Sequence, residues 1–149
     1  ELMYELYGDV GIQRRIRLDD LSEQERRILE LGYIQILPGR DRAGRRILVN
    51  VAFNSTNEYT ANSRIRVWYY VSMSAITDVE TQRKGCVFIG WFHNVNIFDD
   101  FTVRGKTFSS AKSSPVRFDA THICIPEEFE VNNYMNTPTL SSDDSSDSS

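Results

Sequence analysis

The chain has 149 residues, 40% of them hydrophobic, with 17 basic and 21 acidic residues for a net charge of −4. That size suits one domain rather than two, and the composition excludes a chain that is disordered throughout. No run approaches the ~18 consecutive apolar residues of a membrane-spanning helix.

The charge is segregated along the chain. Residues 1–9 hold three acids and no base, residues 10–117 hold all 17 bases against 11 acids, and residues 118–149 hold seven acids and no base. A basic middle suits an anionic partner such as a phospholipid surface or nucleic acid, although an ordinary arginine-rich solvated surface is the plainer reading. Residues 1–19 form an N-terminal segment whose Arg14, Arg15 and Arg17 are candidates for docking to an anionic membrane. No secretory signal pattern follows Glu1, and Cys86 and Cys124 are too few for a disulfide scaffold. A reduced, cytoplasmic protein, peripheral at membranes, is the expectation.

A domain is expected over residues 20–131. Its first element is a helix over Leu21–Leu31, with Ser22 and Glu25 spaced as a capping box and Gly32 as the stop. Tyr33–Leu37 is a short apolar run closed by the turn pair Pro38-Gly39, and Arg46–Phe53 has strand composition. Arg64–Val71 is also rich in strand formers, yet Ile65, Trp68, Tyr69, Met73 and Ile76 share one face of a 3.6-residue period. Val67, Tyr70 and Val71 supply a second apolar face, so a helix here would be buried on two sides. Cys86–Phe92 is almost continuously apolar, as in a strand covered on both faces, and Ala120–Ile125, stopped by Pro126, reads as another. Strand, helix and strand in that order imply a parallel crossover and an α/β fold. From residue 132 to Ser149 the sequence becomes a Ser/Asp-rich tail with little to bury, expected to be disordered. Its Ser141 and Ser142 lie beside acids, as in substrates of acidophilic kinases.

Catalytic patterns are missing from the sequence: no G-x-S-x-G elbow, no phosphate-binding loop and no H-E-x-x-H. His122 and Cys124 would share a strand face as half a metal site, with nothing in the sequence to complete it, or simply pack. Glu127, Glu128 and Glu130 follow a strand end, where α/β folds often bind ligands, although a solvated loop is the plainer reading. No cofactor, no metal and no enzymatic activity are implied. The aromatic side chains Tyr69, Tyr70, Phe88, Trp91, Phe92 and Phe98 could make a core or line a cavity for an apolar ligand.

Three stretches in order resemble the CRAL-TRIO lipid-binding family. Leu37-Pro-Gly-Arg-Asp-Arg-Ala-Gly-Arg-Arg-Ile-Leu-Val49 is similar to its D-x-x-G-R hairpin, with Asp41 and Gly44 shaping the turn. Arg66 through Gly85, ending in V-E-T-Q-R-x-G, resembles the helix, linker and glycine before the central strand, closest to the tocopherol and retinaldehyde carrier branch. Pro115-Val-Arg-Phe-Asp-Ala-Thr-His-Ile123, with Pro126 and Phe129, looks like the family's P-[VL]-[RK]…H-I…P…F element. Trp91 and Asn94 stand where the family has Asp and Gly, and the acidic tail stands where it has a further strand and the gating helices.

The resemblance implies a helix at Arg64–Ile76. It also implies a three-layer α/β/α fold with a mostly parallel sheet, incomplete on its C-terminal side. The implied function is binding and transfer of a small hydrophobic lipid, with Val87, Phe88, Ile89, Trp91, Ile123 and Ile125 lining the cavity. Which face of the central strand meets the ligand is open, because both are apolar. The alternative is a non-enzymatic interaction or scaffold module that has lost the cavity and is regulated through its tail. Nucleic acid is not an expected partner, and the sequence leaves the oligomeric state open.

Overall fold

The computed structural model describes residues 2–52, 59–92 and 114–125. Their order is α1 (Leu2–Tyr7), α2 (Asp9–Gln13), a 3-10 turn (Leu18–Asp20), α3 (Glu23–Glu30), β1 (Ile34–Arg40), β2 (Arg46–Ala52), α4 (Ala61–Ala75), α5 (Val79–Lys84), β3 (Cys86–Phe92) and β4 (Phe118–Cys124). The four strands form one sheet in the order β1-β2-β3-β4. β1 runs antiparallel to β2, whereas β2–β3 and β3–β4 are parallel, so the fold is α/β with a mostly parallel sheet. The expected tail over residues 132–149, with Ser141 and Ser142, lies outside the described residues, as do Phe98, Glu127, Glu128 and Glu130.

Local chemistry sets most boundaries. Ser22 caps α3: its hydroxyl accepts from the Glu25 amide at 3.3 Å, while the Ser22 amide donates to the Glu25 carboxylate at 2.8 Å. Gly32, at φ 70°, ends that helix as expected. The Asp41 carboxylate accepts from the amides of Ala43 and Arg45 at 3.0 and 2.7 Å, and Gly44 takes φ 80°, which closes the β1–β2 hairpin. The turn expected at Pro38-Gly39 is not there. β1 continues through both residues to Arg40, and its register with β2 shifts between Ile36 and Arg40. A proline has no amide hydrogen to give a sheet, and an irregular stretch of an outer strand makes no demand for one. The segment before residue 20, to which no element was assigned, is largely helical, and Tyr7 and Ile16 join the buried core.

The ambiguous segment is helix. α4 is capped by Thr60, whose hydroxyl accepts from the Ser63 amide at 3.2 Å, and it runs for 15 residues. Ile65, Trp68 and Tyr69 are buried on one side and Val67 and Val71 on another. Ile34, Leu48 and Cys86 lie in the same core, and Ile36, Phe88 and Phe118 pack against it.

On the side of α4 that meets the N-terminal helices sits Arg66. Its Nε is 2.6 Å from a carboxylate oxygen of Glu25, which is only 4% exposed, and its guanidinium also donates to the carbonyls of Leu6 and Asp20. The guanidinium carbon lies 4.3 Å from the centre of the Tyr7 ring, and the Tyr7 hydroxyl donates to the Arg66 carbonyl. Burial holds the Tyr7 phenol above its ordinary range.

Asp78 organises the opposite end of the crossover. It caps α5 through the Glu80 amide at 3.2 Å, accepts from the Thr81 hydroxyl at 2.7 Å and pairs with Arg40. Gly85 then turns the chain into β3 at φ 71°, where a Cβ would stand 2.8 Å from the Asp119 carboxylate and 2.9 Å from the Arg117 carbonyl oxygen.

Replacing Arg66 by Met leaves the Glu25 carboxylate buried without its cation, and the expected loss is about 3 kcal/mol in urea unfolding. Pairing that change with Glu25→Leu should recover much of it. Gly85→Ala combines a left-handed backbone with a carbonyl contact that cannot swing away, and should cost ~2–3 kcal/mol. The Thr81 hydroxyl, with Arg40 and the Glu80 amide, holds the Asp78 carboxyl down at about 2, against 3.8 for a free aspartate. On acidification the unfolded chain protonates this group first, so its contribution is complete above about pH 4 and is lost as pH falls towards about 2. Asp78→Asn should therefore flatten the pH dependence of the urea midpoint across that interval; an unchanged slope would refute the assignment.

Candidate functional site

Successive side chains of a strand point to opposite faces of the sheet, so registers and contacts together assign the faces. Phe88 belongs to the α4 side: its ring meets Trp68 edge-on at 5.1 Å between centroids and 81° between planes. Phe118 joins them, 5.9 Å from Trp68 and 5.8 Å from Phe88. Leu48 is paired in register with Phe88, and Gly90 with Ile123, which places Leu48, Gly90 and Ile123 on this face as well. Gly90 is where the aromatics close up. A Cβ there would lie 3.1 Å from Ile123 Cδ1, 3.1 Å from Phe92 and 3.5 Å from Phe88.

Two polar atoms stand out in this apolar setting. Trp68 is 5% exposed and Ser72 is fully buried, yet Trp68 Nε1 and Ser72 Oγ have no hydrogen-bond partner among the described residues. They lie four residues apart on α4, hence one above the other on the same side of the helix. Leaving a buried hydroxyl or indole N–H unpaired costs roughly 1–3 kcal/mol each, so natural cores rarely keep two together. Of the two, Trp68 is the one that meets the rings of Phe88 and Phe118.

The opposite face carries Val87, Ile89 and Trp91 of β3 beside Ile47, Val49 and Val51 of β2, their register partners. None of these belongs to the main core cluster or packs against it. Val87 is buried, Ile89 is half-buried and Trp91 is 52% exposed. The six side chains expected to line one cavity are thus divided. Phe88 and Ile123 lie on the helix side, Val87, Ile89 and Trp91 on the other, and Ile125 beyond the end of β4. Ile123 and Ile125 are exposed. Trp68 and Ser72 were not among the expected site residues, although the sequence holds a signal for them: a serine one turn after a tryptophan on a helix face that is otherwise apolar.

Of the arginines proposed for membrane contact, Arg14 pairs with Asp20 at 2.6 Å and Arg15 donates to the Met73 carbonyl at 2.8 Å. The backbone amide of Arg17 donates to Asp20 at 2.7 Å. His122 and Cys124 are exposed on β4, and no group of three His, Cys, Asp or Glu side chains that could hold a metal is found among the described residues. Cys86 is buried at the start of β3, and desolvation pushes its thiol up to about 11. Among the described residues no helix is long and apolar enough to cross a membrane. No protein-family model matches the chain, and no curated protein matches it.

Proposed function

We propose that this chain is a CRAL-TRIO-like lipid-binding domain of three-layer α/β/α architecture, which holds a small hydrophobic ligand between α4 and the β3–β4 half of the sheet. No bond is made or broken in its work, and it is not an enzyme. The observation that carries this reading is the buried, unpartnered pair Trp68 Nε1 and Ser72 Oγ on α4, with Trp68 packed against the Phe88 and Phe118 rings. A ligand that places a hydroxyl or carboxyl there pairs both atoms and removes their cost. Its apolar remainder, lying against Phe88, Phe118 and Ile123, gains ~25 cal/mol per Å² withdrawn from water. The hairpin closed by Asp41 and Gly44 and the entry of Gly85 into β3 lie in the stretches that resemble the family's motifs. The setting is cytoplasmic, with contact at an anionic membrane through Arg14, Arg15 and Arg17; that contact competes with the bonds to Asp20 and to the Met73 carbonyl.

A second reading, an interaction module without a cavity, is favoured by Trp91, whose large exposed ring lies on the face away from α4. Solvent extraction of the purified chain followed by mass analysis separates the two readings. A copurifying amphiphile with one polar group supports the carrier, and a clean extract with no saturable displacement of a fluorescent fatty acid or sterol overturns it. Ser72→Ala gives a sharper test, because it removes an unpaired group from the ligand-free protein. The variant should be more stable by about 1 kcal/mol and should bind the ligand about tenfold more weakly. Lower stability with unchanged binding would mean that Ser72 is only a packing residue.

A further inference from the structure

We propose that the end of the sheet from which β2, β3 and β4 start is a docking surface for the chain's own acidic C-terminal segment, residues 126–147. This is independent of the lipid reading. Three structural pieces meet at that end. The β1–β2 hairpin brings Arg40, Arg42, Arg45 and Arg46; the close of α5 brings Arg83 and Lys84; and Arg117 precedes β4. They are in contact. Lys84 Nζ lies 2.7 Å from where a Cβ on Gly44 would stand, Arg117 donates to the Arg83 carbonyl at 3.0 Å, and Arg40 donates to the Gly44 carbonyl at 2.9 Å.

Among the described residues seven bases at this end face four acids, Asp41, Asp78, Glu80 and Asp119, which leaves a net charge of +3. The acids are already engaged: Asp41 with Arg45 at 2.7 Å, Asp78 with Arg40 and Arg46, Glu80 with Lys84 at 3.0 Å and Asp119 with Arg117 at 2.9 Å. Arg42 and Arg83 are exposed, and their guanidinium groups pair with no carboxylate among the described residues.

The complementary charge is in the same molecule. After Arg117 the chain has no base, and residues 126–149 carry six acids, Glu127, Glu128, Glu130, Asp143, Asp144 and Asp147. β4 ends at Cys124, at the opposite end of the strands, so the segment must return along the height of the sheet, ~20 Å for a seven-residue strand. The chain from Cys124 to Asp143 extends up to ~60 Å, ample for that return. Tethering supplies an effective concentration in the millimolar range, enough to make a weakly attractive surface occupied. A membrane is the poorer occupant, because neither the hairpin turn nor α5 carries an aromatic side chain to anchor it at the interface. A second copy would present the same positive end and be repelled. Phosphate on Ser141 or Ser142 would add about −1.5 to −2 each and tighten the contact.

Carbodiimide coupling of the full chain tests this, since it joins a carboxylate to a lysine amine only where the two touch. The Lys84–Glu80 pair, 3.0 Å apart, serves as an internal reference for the reaction. In the monomer, peptide mapping should also find Lys84 joined to Asp143, Asp144 or Asp147. That second product should fall about fivefold in 1 M salt, where the screening length shrinks to ~3 Å, and fall likewise in Arg42→Glu/Arg83→Glu. A Lys84–Glu80 product alone overturns the proposal. So does a tail linkage confined to cross-linked dimers, which would assign the surface to a second copy. Protection of Lys84 by phosphatidylserine vesicles, with no tail product in their absence, would assign it to a membrane instead.

Discussion

The described fold depends on one half-buried charge being answered from four directions. Arg66 projects from the middle of α4 and meets Glu25 of α3, the Leu6 carbonyl of α1, the Asp20 carbonyl of the 3-10 turn and the ring of Tyr7. A guanidinium can do this because its donors fan out in a plane while its face accepts an aromatic ring. Short N-terminal helices such as α1 and α2 have little stability of their own. They are ordered because α4 gives them a charged partner as well as an apolar surface. α4 can spare that side for Arg66 because its other sides are committed to the sheet and the core.

The sheet divides its two surfaces between different tasks. On the α4 side, Leu48, Phe88, Phe118 and Trp68 make a packed interior that shelters two polar atoms with nothing to bond. Across the sheet, Val87 is covered while Trp91 is not. At the strand starts, charge replaces apolar surface, and the ion pairs of Asp78 and Asp119 surround Gly85, where only a glycine fits. The unpaired polar atoms belong to α4, and the basic side chains gather at the strand starts.

Helix caps and turns were legible in the sequence because each depends on residues three or four apart. Ser22 with Glu25 and Asp41 with Gly44 took the forms their spacing implies. Pro38-Gly39 misled because turn chemistry is read without knowing whether a strand lies at the edge of a sheet, where a proline is tolerated. The helical N-terminal segment was invisible for a related reason: Tyr7 and Ile16 are scattered apolar residues until α4 gathers them.

What the sequence determined by itself, then, was the α/β order, the caps and the segregation of charge, since all three follow from neighbours along the chain. Only the tertiary structure decided which side of the central strand meets a helix, because β3 is apolar at every second residue on both faces and no periodicity distinguishes them. It also decided that Trp68 and Ser72 are buried with their polar atoms unanswered. Whether a hydrogen-bonding group finds a partner depends on what is packed around it, and that is settled by residues far away in the chain.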